Sequence, residues 1–181
     1  MGKRLLTYEE IQSVHCDKSR GTEKGSRIFR NIGEVSKFFS IEEPILCVGC
    51  GDGLEVEAWK LLGYTVKGVE VDQKKTKIAI EHNCDVVRCL IEEYNPSEKA
   101  NIFCSHTLEH CKNKELILNK FVNIALSTIC IIVPIERFHT KNPSHFSQIK
   151  SLSELKLDWT IVMCVERYNN EPEGVKIWKR L

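Results

Sequence analysis

The stretch ILCVGCGDG (45–53) decides how the rest of the chain is read. Its first half is a short apolar run, the pattern of a strand buried on both faces of a parallel sheet. Its second half sets glycine at 49, 51 and 53, and Leu54 to Leu62 behind it reads as a helix that Gly63 stops. Strand, glycine turn and helix in that order let a ligand approach the backbone closely. The next apolar run, TVKGVEV (65–71), carries an acid near its end, and Glu70 lies 21 residues after Gly49. A carboxylate there can accept hydrogen bonds from both hydroxyls of a ribose. A βα turn that holds no ligand is the simpler alternative.

Outward from this unit the alternation continues. Gln73 to His82 reads as a helix, DVVRCL (85–90) and NIFCS (101–105) as strands, Lys114 to Leu126 as a long amphipathic helix, and TICIIVP (128–134) as a strand closed by Pro134. After a short helix near Ser151–Leu155, WTIVMCVERY (159–168) and GVKIWKRL (174–181) read as a hairpin joined by NNEPE. The expected fold is α/β: a Rossmann-like, doubly wound, seven-stranded and mostly parallel sheet with a C-terminal antiparallel hairpin. Ahead of it, Ile28 to Phe39 reads as a helix with Ile28, Ile32, Val35, Phe38 and Phe39 on one face. HCDKSRGTEKGS (15–26) reads as a mobile loop. Residues 1–40 are thus expected to form a helical or lid segment, with Tyr8 and Arg20–Arg27 as the covering part.

Composition narrows the function. The 181 residues carry a net charge of +1, so no global attraction to nucleic acid or an anionic membrane is expected. No apolar run suits a signal peptide or a membrane-spanning helix, so a cytoplasmic location is expected and no membrane partner. Nine cysteines in such a chain are expected to be reduced. Cys47-x-x-Cys50 has no second pair, and the histidines match no metalloenzyme spacing, so no metal site is expected.

The turn has the spacing G-x-G-x-G, closer than the dinucleotide fingerprint, and it lacks the lysine of a P-loop. With the acid at the end of strand two and the terminal hairpin, it resembles the class I S-adenosylmethionine-dependent methyltransferases. The resemblance covers residues 41–181 and rests most on ILCVGCGDG (45–53) and GVEVD (68–72). It implies S-adenosylmethionine as cofactor. Gly49, Cys50, Gly51, Asp52 and Gly53 would frame its methionine and ribose moieties. Glu70 would hold the ribose, Val71 and Leu90 would flank the adenine, and Ser105 and His106 would wall the methionine end. His145-Phe146 resembles the stretch after strand five in members that act on small molecules. Two positions depart from the family pattern, because Cys47 and Cys89 stand where acids are usual. Each departure removes a charge-assisted hydrogen bond of about 1.5–3 kcal/mol.

Methyl transfer to a hydroxyl or amine is helped by a positioned base, and histidine suits that task near neutrality. His106, His110, His139 and His145 follow strands four and five, where open α/β sheets form pockets. His106 and His145 are the candidate bases. Glu109 and His110 are read as a cap or pair on the long helix, and His139 as surface. The expected function is methylation of an O or N nucleophile of a small molecule. Alternatives are a noncatalytic cofactor-binding or scaffold protein and a nucleic-acid methyltransferase. The second is disfavoured by the lack of a (D/N/S)PP(Y/F) segment or a Pro-Cys dipeptide. Oligomerisation is left open.

Overall fold

The computed structural model describes residues 22–136, 145–167 and 172–180. Tyr8, Arg20 and His139 lie outside the described residues. The elements are α1 (Thr22–Val35), a 3-10 turn (Ser36–Phe38), β1 (Ile45–Val48), α2 (Leu54–Leu61), β2 (Val66–Glu70), α3 (Gln73–Glu81), β3 (Val86–Arg88) and β4 (Ala100–Ser105). A 3-10 turn (Leu108–His110), α4 (Lys114–Ile124), β5 (Ala125–Pro134), a 3-10 turn (Leu152–Glu154), β6 (Thr160–Arg167) and β7 (Glu173–Lys179) follow. The sheet has seven strands in the order β3-β2-β1-β4-β5-β7-β6. The expected class, a mostly parallel sheet with an antiparallel C-terminal pair, is what the chain forms. The chain divides into two compact units, one ending at Cys89 and the other starting at Leu90.

In the first unit, β1 pairs with β2 and β2 with β3, all parallel. All four residues of β1 are buried, as an apolar run inside a parallel sheet requires. The N-terminal helix begins at Thr22, earlier than expected, so part of the stretch read as a loop is helical. It also ends earlier, at Val35, and a 3-10 turn replaces its last residues. The reason lies in Tyr64, whose hydroxyl donates to the carbonyls of Ser36 (3.0 Å) and Phe39 (3.3 Å) and draws the chain out of the helix. Trp59 packs on Phe39 and Tyr64, each with ring centroids 4.9 Å apart. This ring cluster holds α1 against α2 through apolar burial.

In the second unit, β4 pairs with β5 in parallel, and β7 pairs antiparallel with both β5 and β6. Here the expected helix to Leu126 stops at Ile124, and β5 begins at once with Ala125. Asn101 explains the boundary. Its Oδ1 accepts the backbone N–H groups of Ser127 (3.1 Å) and Thr128 (2.9 Å) where the β4–β5 ladder shifts register. A side-chain acceptor thus replaces ladder bonds and fixes extended backbone that helical periodicity alone would have continued.

Candidate functional site

The first unit builds a turn suited to a nucleoside. Gly49, Gly51 and Gly53 have φ of 69°, 58° and 87°, a region L side chains rarely adopt. Gly49 and Cys50 donate their N–H groups to the Val69 carbonyl at 2.8 and 3.2 Å, which pins the turn to β2. Gly53 also lets the turn approach α3, since a Cβ there would lie 2.7 Å from Cys84 Sγ and 2.9 Å from Ala79 Cβ. Asp72 closes the far side by capping α3, its carboxylate accepting the N–H groups of Lys74 and Lys75.

Glu70 is the polar centre of this turn. The residue is 7% exposed, and its carboxylate accepts three backbone N–H groups. Gly51 donates to Oε2 at 2.8 Å, while Val71 and Asp72 donate to Oε1 at 2.9 Å each. The carboxylate is therefore both a strut for the glycine turn and an acceptor. It offers about four lone-pair sites, so three N–H donors leave room for a sugar hydroxyl. Val71 follows with its apolar side chain 53% exposed. Bare glycine backbone, a fixed carboxylate and an exposed apolar side chain fit a methionine–ribose–adenine ligand.

The cysteines of the turn are not reactive groups. Burial first, then Glu55, Glu70 and Cys84, pushes the Cys50 thiol far above its ordinary value, so it stays protonated at neutral pH. Cys47 is wholly buried in β1. No disulfide joins the eight described cysteines.

The second unit gathers the histidines. Ser105 ends β4, and His106 follows with φ of 49°, an uncommon value for a residue with a Cβ. Its N–H donates to the Ile132 carbonyl at 2.8 Å, which holds that conformation. Its Nε2 lies 3.4 Å from Glu173 Oε2 and its Nδ1 3.8 Å from Glu109 Oε1. Arg167 donates to the other Glu173 oxygen at 2.9 Å. Glu109 and His110 sit on the 3-10 turn ahead of α4, not on the long helix, because Asn113 caps that helix by accepting the Leu116 N–H. Glu109 is 1% exposed. Burial pushes its carboxyl above the ordinary carboxylate range, while its own N–H, His106, His110 and His145 act the other way. His145 Nδ1 hydrogen-bonds Glu136 Oε1 at 2.6 Å, and its ring meets that of His110 edge-on with centroids 4.8 Å apart. Leu90 is 45% exposed at the start of this unit, and Phe146 is exposed.

The candidate residues therefore fall in two groups: Gly49, Cys50, Gly51, Asp52, Gly53, Glu70 and Val71 in the first unit, and Leu90, Ser105, His106 and His145 in the second. Glu136, Glu173 and Arg167 were not foreseen. Glu173 meets His106 across 67 positions, and no local pattern marks such a pair.

A parallel α/β sheet with a glycine turn and a strand-end acid defines a nucleoside-cofactor class. Residues 46–126 match the methyltransferase domain family, a span that begins in β1 and ends just inside β5. The matched residues thus include the glycine turn, Glu70 and His106. No curated protein matches the sequence. Among solved structures, the fold is similar to an S-adenosylmethionine-dependent methyltransferase from Archaeoglobus fulgidus, with 18% identity and a TM-score of 0.69 over 93% of this chain and 99% of that one. It is also similar to the PH0226 protein from Pyrococcus horikoshii, with 14% identity and a TM-score of 0.75 over 91% of this chain and 94% of that one. TehB from Haemophilus influenzae has 16% identity and a TM-score of 0.69, over 84% of this chain but 62% of its own length. No helix among the described residues is long and apolar enough to cross a membrane.

Proposed function

We propose that the protein, acting in the cytoplasm, methylates an oxygen or nitrogen nucleophile of a small molecule, with His106 as the base. The observation that carries this reading is His106 itself: a strained residue at the end of a parallel strand, with a carboxylate near each ring nitrogen. Such strain persists only where the surroundings over-determine it, and it clusters at functional positions. The cofactor, when bound, supplies an electrophilic methyl group on a sulfonium sulfur. Gly49, Gly51 and Gly53 would leave its backbone cradle bare, Glu70 would accept from its ribose, and Val71 would lie against its base. His106 would take the proton of the acceptor. Glu173, held by Arg167, orients the ring and offsets the charge that the ring gains.

Calorimetric titration with S-adenosylmethionine and S-adenosylhomocysteine tests the first half, and absence of heat at millimolar ligand would sink it. Transfer of labelled methyl groups into a small-molecule extract tests the second half. His106→Ala should lower turnover about 10²–10⁴-fold while cofactor affinity stays within twofold. Cys47 and Cys89, at positions where acids are usual, favour a second reading, a cofactor-binding protein without transfer. Binding with no label transferred to any acceptor would establish it.

A further inference from the structure

We propose that Glu109, His110 and His145 form a binding site for a divalent first-row transition cation such as Zn2+. One ligand atom from each residue lies within 4.8 Å of the others. Zinc binds nitrogen and carboxylate oxygen at about 2.0–2.2 Å, so each atom must move inward by less than about 1 Å. Side-chain rotation supplies that much. Two imidazoles are borderline ligands, and joined to one carboxylate they suit zinc and its first-row neighbours rather than magnesium or calcium.

Three further observations point the same way. Glu109 Oε2 is buried and has no hydrogen-bond partner. A buried carboxylate oxygen in that condition is costly unless a cation completes it. Glu136 grips His145 Nδ1 at 2.6 Å, which turns Nε2 into the ligating nitrogen. A carboxylate behind a histidine is the usual outer support of a metal-bound imidazole, fixing its tautomer and raising its basicity. The segments that carry the ligands are tied together before any ion arrives. Ser147 donates its N–H to the Glu109 carbonyl at 3.0 Å and its hydroxyl to the Cys111 carbonyl at 2.7 Å. Glu136 donates its N–H to the Ile149 carbonyl at 2.8 Å. The expectation of no metal came from spacing along the chain, whereas the ligands meet through these cross-links between the turn after β4 and the stretch after β5.

The site does not depend on the methyl-transfer reading, and its test needs no substrate. Zn2+ titrated by calorimetry into chelator-treated full-length protein should bind at one equivalent. Glu109→Gln and His145→Ala should each weaken that binding more than 100-fold, and Glu136→Gln about 10–100-fold. Circular dichroism of each variant reports whether it has folded. Co2+ bound to the wild-type protein gives an answer that no variant can confuse. Visible d–d bands without thiolate charge-transfer absorption support the Glu–His–His set. Strong thiolate absorption would assign the ion to cysteines and overturn the proposal. So would wild-type affinity in folded His145→Ala, or no heat with millimolar Zn2+.

Discussion

Two glycine-to-alanine changes, one in the glycine turn and one in α1, test the first unit's backbone as described, because the same methyl group should have opposite effects at the two positions. At Gly53 the backbone has φ of +87°, which costs an L-residue about 1–2 kcal/mol. The new Cβ would also lie 2.7 Å from Cys84 Sγ and 2.9 Å from Ala79 Cβ, far inside van der Waals contact. Cys84 and Ala79 are themselves buried, at 6% and 0% exposure, so neither can swing aside. Overpacking of this kind costs about 1–3 kcal/mol. The two effects together give about 2–5 kcal/mol. For a chain of this size, 1 kcal/mol moves Tm by about 2–4 °C, so Gly53→Ala should melt about 4–20 °C below wild type. Gly33 lies inside α1, and a Cβ there would meet nothing within 4 Å. Gly33→Ala removes backbone freedom from the unfolded chain and should raise stability by about 0.5–1 kcal/mol. Scanning calorimetry of the three ligand-free proteins reads both signs at once. A Gly53→Ala protein melting within 2 °C of wild type would refute the geometry of the turn, and a Gly33→Ala protein falling as far as its counterpart would refute the open space beside Gly33 in α1.

Glu70→Gln should both lower Tm and weaken S-adenosylmethionine binding: the amide oxygen can keep Val71 and Asp72, but the amide nitrogen cannot accept from Gly51, and that orphaned N–H costs about 1–3 kcal/mol. Unchanged melting, read by scanning calorimetry, would show that the strut is not formed. Asp72 ties stability to pH. The Lys75 N–H most of all holds its carboxyl below the ordinary 3.8; desolvation, second in size, opposes it, and the Lys74 N–H and both lysine charges add to the lowering. A folded value below the unfolded one means that its contribution is present above about 3.8 and is lost as pH falls through the folded value. Asp72→Asn keeps a capping oxygen, so urea melts of the two proteins should differ at neutral pH and converge in acid.

The contrast between the two halves of the chemistry follows from how far apart their residues lie in the chain. The geometry of the glycine turn was legible because each part is local. The β1 run, the three glycines and Glu70 sit within 26 residues, and each follows from strand burial, positive φ or the end of the next parallel strand. Even there the sequence could not show that Glu70 braces Gly51, because that hydrogen bond depends on how the strands register. Element boundaries failed where a distant side chain overrides local pattern. Tyr64 ends α1 from 28 residues away, and Asn101 starts β5 from 26 residues away. The histidine cluster is an extreme of the same kind. Glu109 and His110 adjoin a helix and look like its cap, yet Asn113 takes that task and leaves Glu109 to face His106. His106 and Glu173 stand 67 positions apart, and His145 joins the cluster through Ser147 and Glu136. The histidine cluster thus draws on side chains from four separate segments, whereas the glycine turn and Glu70 come from one turn and the strand end beside it. On the proposed function, a substitution in the turn should change affinity for S-adenosylmethionine, and one at His106 or Glu173 should change turnover.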